Sequence, residues 1–376
     1  MDLISLLIAS ISSVLLGSVI LVAFLTFRFG SRNPRISRRL DYLPSVSMVI
    51  PTRNEESIIR KRLVNIEAMS YPPEKLEVIF VDSSSDETSA LIAEFARDHP
   101  YIKLVKQTRP GFNSALNLGY GLAKGEIVVK SDCDAFPEQG ALRELVSNFA
   151  DKSVGVVSGI HVITDSSKTE KQFRGIQTRI LLFQSYLHST FIAHGAFSGY
   201  LSKIIPKLPE EVTADDSIVV MEAVKRGLRA IIDHRVKVQE FYPEDFALRR
   251  EMKDRRAAGV VRVMFQNLEV LLNPKFGMFG LVCFPVSFLV LVVGPLLATA
   301  LAILILIYGI LCEPLALVLI LVPVLLYLVS FVNDDRVTTL TKTVFDFYFS
   351  SIAGIAGAAK RRPTWKRSEG QRGQPC

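Results

Sequence analysis

The sequence predicts an α/β domain built on a doubly wound, mostly parallel sheet, with apolar helices at both chain ends. Three observations carry this. Residues 45–150 alternate short apolar strand runs with amphipathic helical runs. Each strand run ends in polar residues. The apolar residues, 49% of the 376, concentrate at the two ends and leave a middle of globular composition. A strand–helix–strand order implies parallel strands joined by crossover helices, and a middle of this length suits one good-sized domain.

The elements follow in order. Leu3 to Phe27 is apolar or small almost throughout, roughly the ~20 residues that cross a bilayer. A cleaved signal peptide wants a basic start and a shorter apolar core. Here the start carries Asp2, and Arg28, Arg32, Arg35, Arg38 and Arg39 follow. An anchor is therefore expected over residues 1–29, with the following domain on the cytoplasmic side. SVSMVIP (Ser45–Pro51) reads as a buried strand, and Ile59, Leu63 and Ile66 share one face of the helix after it. LEVIFVD is a second strand, and SSSDET opens the next helix with capping and acidic residues. IKLV is a third strand, Phe112 to Ala123 a helix, and EIVVK a fourth strand ending at Asp132. Pro137 is expected to start a helix that turns Leu142, Leu145 and Phe149 inward.

Beyond the domain, Phe276 to Cys312 is one apolar run, about 55 Å long as a helix and too long for one perpendicular crossing. A surface-lying start up to Pro285, a span near Val286 to Ile310 and a return near Leu315 to Val332 are expected. Thr341 to Ala359 carries Lys342 and Asp346 and suits either a crossing or an interfacial helix. Two to three C-terminal spans follow. The chain divides into an anchor (1–29), a globular domain (30–274, in two halves at 45–150 and 151–274), terminal helices (275–359) and a basic tail (360–376).

The formal net charge is +7. Much of the excess lies beside the apolar segments, at Arg28–Arg39, Arg249–Arg262 and Lys360–Arg367. That placement suits anionic lipid headgroups or phosphorylated substrates rather than nucleic acid. Cys133, Cys283, Cys312 and Cys376 form no CxxC pair, so neither a disulfide framework nor a zinc site is expected.

In open α/β sheets ligands bind beyond the carboxyl ends of the strands, and here those ends carry Thr52-Arg53-Asn54-Glu55, Asp82-Ser83 and Asp132-Cys133-Asp134. Residues two apart on extended chain project the same way, so Asp132 and Asp134 can offer hard oxygen ligands to Mg²⁺ or Mn²⁺, with phosphate oxygens completing the shell. A solvated turn is the plain alternative. Asp82 can accept from a nucleobase N–H or close an Asx turn. Asp215-Asp216 opens a helix that ends at Gly227, as a cap or as a general base for an acceptor hydroxyl. Arg255 and Arg256, in KDRRAAG, can fork onto a pyrophosphate or form a lipid-facing collar.

Taken in order, VIPTRNEE, VDSSSDET, RPGFNSALN, KSDCDAF, GAFSG, TADDS with its following KRG, and KDRRAAG resemble the membrane-bound family 2 glycosyltransferases. The resemblance runs from Ser45 to the C-terminus and implies that residues 30–274 are a catalytic domain, with a nucleotide-binding half at 45–150 and an acceptor half at 151–274. It implies a GT-A-type fold and transfer, with inversion, of a sugar from a UDP- or GDP-linked donor to a lipid or lipid-linked acceptor. On this resemblance Pro51, Thr52, Arg53 and Glu55 hold the nucleoside, Asp82 the base, Asp132 the ribose and diphosphate, and Asp134 the metal with Asp132. Asp216 takes the place of the catalytic base by its spacing to Gly227, and Arg255, with Arg256, that of the diphosphate-binding arginine. Gly195, Ser198 and Asp215 fall on the acceptor side. The sequence departs from the family at three points: the Asp82 motif is one residue short, Phe112 replaces a lysine with Arg109 nearby as a substitute, and the QxxRW motif lacks its Gln and Trp. The last departure favours a single transfer over a processive polysaccharide synthase. A catalytically inactive homologue is the further alternative.

Overall fold

The computed structural model describes residues 3–108, 111–162, 168–210, 212–240, 245–331 and 335–359. Eight strands form one mixed, mostly parallel sheet, in the order β3-β2-β1-β4-β7-β6-β8-β5. β1 (Val46–Thr52), β2 (Leu76–Asp82), β3 (Ile102–Lys106) and β4 (Ile127–Ser131) are mutually parallel. They are connected through α2 (Glu56–Glu67), α3 (Thr88–Ala96) and α4 (Phe112–Leu122), the crossover arrangement that the alternating pattern predicts. Their outward ends line up, with Thr52 beside Asp82 and Asp82 beside Lys106.

The strand alternation sorts the core into two layers. Met48, Ile50, Val78 and Phe80 face Ile59, Leu63 and Ile66 of α2 and Ile92 of α3. Val49, Ile79 and Val81 face Ala115 and Leu116 of α4 and Val219, Val220 and Ala223 of α7 (Asp215–Lys225). Both faces are covered, which is why the strands read as continuous apolar runs.

One element departs from expectation. Residues Ala135–Pro137 form β5, antiparallel to β8 (Arg229–Glu240), and α5 (Ala141–Ser147) starts four residues after Pro137. β5 is the last strand in the sheet order, where a residue without an N–H is tolerated. β7 (Phe197–Leu201) enters antiparallel between β4 and β6 (Val154–Val162). It brings residues 194–196 up to the end of β4, where Asp132 N–H donates to Ala196 O at 3.0 Å.

Among the described residues two helices are long and apolar enough to cross a membrane: α1 (Leu3–Phe29) and the continuous helix Phe279–Leu311. The second includes α9 (Phe284–Phe288) and α10 (Gly294–Leu311), each preceded by a π turn, with Pro285 and Pro295 in the first turns. Proline removes an N–H and crowds the preceding turn, which loosens the helix there without ending it. The start of this helix is not a separate surface segment: Phe279, Cys283 and Phe284 are buried in the domain core. The next apolar helix, Pro314–Val329, which contains α11 (Val318–Val329), is shorter than a span needs. α12 (Arg336–Ala358) packs on α8 (Phe246–Phe265) through small residues, so a Cβ at Gly354 would come within 2.8 Å of Ala257 Cβ. α6 (Lys168–Leu187) completes this helical layer, and Arg32 and Arg35, just beyond α1, both donate to its Tyr186 hydroxyl. The expected basic tail (360–376) lies outside the described residues.

Candidate active site

At the end of β1, Thr52 Oγ1 donates to Asp82 Oδ1 at 2.7 Å, tying the first two strand ends together. Asn54 takes φ +53°, a region asparagine tolerates better than most residues. From there its N–H donates to Ser84 Oγ at 2.8 Å, and its Oδ1 accepts from Ser85 N–H at 2.9 Å. Glu55 is buried, and its N–H donates to Thr88 Oγ1 at 2.9 Å. Pro51 and Arg53 are half-buried at this rim.

Asp82 is 2% exposed and accepts from Thr52, from the Ser84 hydroxyl and N–H, and from the Ser89 hydroxyl. A carboxylate offers about four lone-pair sites, and these four donors fill them. The Asx turn is therefore present, and Asp82 fixes the floor of the rim. Contact with a nucleobase N–H would require one of the hydroxyls to turn away.

The loop after β4 holds Asp132 and Asp134 half-buried, with Cys133 packed into the core between them. Beneath it Arg62 is fully buried, and its guanidinium donates to Ser131 Oγ and Asn65 Oδ1, each at 2.6 Å. Burial draws Arg62 down to about 10, against the opposing pull of the Cys133, Asp134 and Asp132 positions. Among the described residues no group of three or more His, Cys, Asp or Glu is placed to hold a metal. Two neighbouring carboxylates fit a hard cation only when further oxygen ligands come from a bound phosphate or water.

A buried polar cluster joins β4, β7 and α7. Lys130 Nζ donates to Asp215 Oδ2 at 2.5 Å and Asp216 Oδ1 at 3.0 Å, and lies 5.1 Å from the Phe112 ring centre. Tyr200 OH donates to the same Asp216 Oδ1 at 3.1 Å. Burial opposes the Lys130 charge, but Asp215, Asp216 and Asp132 together hold its pKa well above the usual lysine value. One cation shared by two carboxylates leaves an excess of negative charge. Asp215, buried and beside Asp216, is raised to about 6. Its side chain is 8% exposed against 18% for Asp216, so Asp216 is the more accessible of the two. A Cβ at Gly195 would overlap Asp216 Oδ2 and stand 2.8 Å from Lys130 Nζ. A side chain at this position would displace the Asp216 carboxylate.

Of the acceptor-side residues, Gly195 and Asp215 join this cluster, whereas Ser198 is fully buried in β7 and donates its hydroxyl to His194 O at 2.6 Å. Thr213 Oγ1 donates to Arg255 O at 3.1 Å, which seats α8 against the approach to the doublet. Arg256 shares a helical stripe with Arg249 and Lys253 (i, i+4, i+7) and lines a cleft with Glu170 and Arg174 of α6. Arg109 lies outside the described residues. Sequence reasoning assigned no role to Lys130 or Tyr200. The available signal was a lysine inside an otherwise apolar buried strand, since a buried lysine requires a partner.

Comparison with known proteins bears on the family and the fold. Residues 47–208 match the sequence profile of glycosyl transferase family 2. The probable glycosyltransferase YdaM of Bacillus subtilis is 35% identical over 142 residues, 36% of this chain and 34% of that protein. The beta-monoglucosyldiacylglycerol synthase of Trichormus variabilis is 35% identical over 119 residues, 31% of this chain and 25% of that protein. The poly-beta-1,6-N-acetyl-D-glucosamine synthase of Staphylococcus aureus is 29% identical over 154 residues, 40% and 37% respectively. The matched segment thus spans only a quarter to about two fifths of these relatives. A solved mannosyltransferase from Pyrobaculum calidifontis, in complex with GDP-Man and Mn²⁺, shares the fold: TM-score 0.80 over 95% of this chain and 99% of that one, at 24% identity.

Proposed function

We propose that this chain, with its family 2 glycosyltransferase domain at residues 47–208, moves a sugar from a nucleotide-diphosphate donor to a membrane lipid or lipid-linked glycan, with inversion. The observation that carries the reading is the placement of β4. It ends in the Asp132–Asp134 loop and, two residues earlier, presents Lys130 to the Asp215–Asp216 doublet. A donor-facing pair of carboxylates and a separate candidate base are thus held by one strand.

In this mechanism Asp216 is the general base. Its Oδ1 is held by Lys130 and Tyr200, which leaves Oδ2, beside the bare Cα of Gly195, to take the acceptor hydroxyl proton. The acceptor oxygen forms a bond to the anomeric carbon on the face opposite the leaving group. The bond from that carbon to the diphosphate oxygen breaks, and the electron pair leaves with the nucleoside diphosphate. Asp134 and Asp132 are the residues that would hold Mg²⁺ or Mn²⁺, which when bound offsets the charge of the departing diphosphate. Lys130 and Tyr200 position the base, and Pro51, Thr52, Arg53 and Glu55 shape the nucleoside rim with Asp82 beneath. Arg255, on α8 beside the doublet, is the diphosphate arginine. The GDP-Man and Mn²⁺ of the Pyrobaculum structure support a nucleotide-sugar donor and a divalent ion.

A lipid acceptor is supported by the two span-length apolar helices and by the diacylglycerol lipid in the name of the Trichormus relative. The arginines from Arg28 to Arg39, which follow the first apolar helix, favour a catalytic domain on the cytoplasmic side. The reading is tested by calorimetric binding of a panel of UDP- and GDP-linked hexoses to the purified full chain, with Mn²⁺, Mg²⁺ or a chelator. One donor should bind with the ion and lose at least roughly tenfold in affinity without it. Failure of every nucleotide sugar to bind overturns the reading.

A further inference from the structure

We propose that a cavity between α6, α8 and α12 is a binding site for the headgroup of a hydroxylated anionic phospholipid, separate from the donor and the catalytic doublet. The cavity encloses about 50 Å³, against the ~10–15 Å³ that one water needs, so it has room for a phosphoryl group. Arg249, Arg250, Lys253 and Lys342 line it against the carboxylates of Glu170 and Asp346. Of the adjoining charges, Arg174 pairs with Glu170 at 3.0 Å and Asp254 with Arg250 at 2.9 Å, so they cancel and the cationic excess stands.

Two features choose the ligand. Lys253 Nζ lies 2.6 Å from Glu170 Oε2, and Arg174 holds the other oxygen, so Glu170 is neutralised within the wall. Asp346 is different. It is more than nine-tenths buried, Lys253 stands 3.9 Å from its Oδ2, and its Oδ1 has no hydrogen-bond partner. A buried acceptor of this kind requires a donor. The occupant must therefore bring anionic oxygens for the cations and a hydroxyl for Asp346, the combination found in a glycerophosphate headgroup.

The position selects a lipid over a soluble phosphate. α12 carries Lys342 and Asp346; on the same helix Phe345, just before Asp346, stacks on Tyr327 of α11 at 4.6 Å, and Tyr348, two residues after it, hydrogen-bonds Thr299 of α10 at 2.8 Å. The cavity thus sits where the apolar helices meet the domain, at the depth where headgroups lie if these helices cross the bilayer. The inference rests on that membrane placement, and its test involves no sugar transfer, so the two can fail separately.

The full chain in a neutral detergent is titrated with phosphatidylglycerol, phosphatidylcholine, phosphatidylmethanol (anionic, without a headgroup hydroxyl) and soluble glycerol phosphate, with bound lipid read by native mass spectrometry. Phosphatidylglycerol should bind roughly tenfold more tightly than phosphatidylmethanol, the value of one hydrogen bond to a charged acceptor. Phosphatidylcholine should bind more weakly still. Asp346→Leu should abolish the difference between the first two, and Arg249→Gln with Lys342→Gln should weaken phosphatidylglycerol by roughly tenfold. Lys342→Gln alone, a change on a partly exposed side chain, is read alongside in case the double variant unfolds, and should lose about threefold. Equal binding of phosphatidylglycerol and phosphatidylcholine, unchanged binding in Lys342→Gln, or soluble glycerol phosphate binding as tightly as the lipid would each overturn the proposal.

Discussion

Replacing Lys130 by Met tests how the doublet is held. Lys130 is 3% exposed and is the cation within hydrogen-bond reach of both Asp215 and Asp216. Removing one partner of a buried ion pair costs about 3–5 kcal/mol, because the remaining charge stays buried and uncompensated. The doublet escapes that cost by taking up a proton. Asp215 is already raised to about 6 with the lysine present; without it the pair should hold a proton at neutral pH. The stability deficit of Lys130→Met should then be smaller at pH 5, where one of the two carboxylates already holds a proton, and approach the full figure at pH 8. A half-neutralised base should lose about 10²–10⁴ in kcat, while KM for the donor stays within about threefold, since Lys130 points at α7. The assay is steady-state transfer together with thermal unfolding in detergent at both pH values. A kcat within threefold of wild type, or the same Tm deficit at pH 5 and pH 8, would refute the reasoning.

Other variants probe the same edge. Gly195→Ala drives a Cβ into Asp216 Oδ2 and should cut kcat by about 10²-fold through misplacement of the base, with donor affinity by calorimetry unchanged. Asp134→Ala should abolish the stimulation of donor binding by Mn²⁺ while leaving Tm near wild type, because Asp134 is half-buried on a loop. Asp215 has a folded pKa above its ordinary 3.8. Between pH ~4 and ~6 the folded state therefore holds the proton more readily than the unfolded chain, so this group's contribution to stability falls as pH rises through that window. Asp215→Asn should flatten that part of the Tm–pH curve, and a curve that keeps its slope contradicts the assignment.

The parallel half of the sheet was legible because each strand is a short apolar run beside an amphipathic helix, and both signals are local. Pro137 was misread. A proline starts helices and also suits edge strands, and the choice depends on β8, about a hundred residues away in sequence, which the local pattern does not contain. The same distance hid the partner of the doublet: Lys130 and Asp215 meet only because β7 inserts between β4 and β6 and α7 packs across them. In α8 the basic run allowed either a pyrophosphate-binding patch or a lipid-facing collar. The helix divides it, with the stripe of Arg249, Lys253 and Arg256 turned to α6 while the backbone at Arg255 meets Thr213. Asp82 shows the limit at a single residue. The sequence allowed a base contact or an Asx turn, and the serines and threonine that fill its oxygens come from three separate positions.

The central claim is that Asp216 removes the acceptor proton during sugar transfer from a nucleotide donor. Its most direct test is single-turnover transfer of labelled sugar to lipid by the full chain and by Asp216→Asn, each saturated with the donor and Mn²⁺. The account predicts unchanged donor binding and a rate lowered by about 10²–10⁴ in the variant; transfer at the wild-type rate would contradict it.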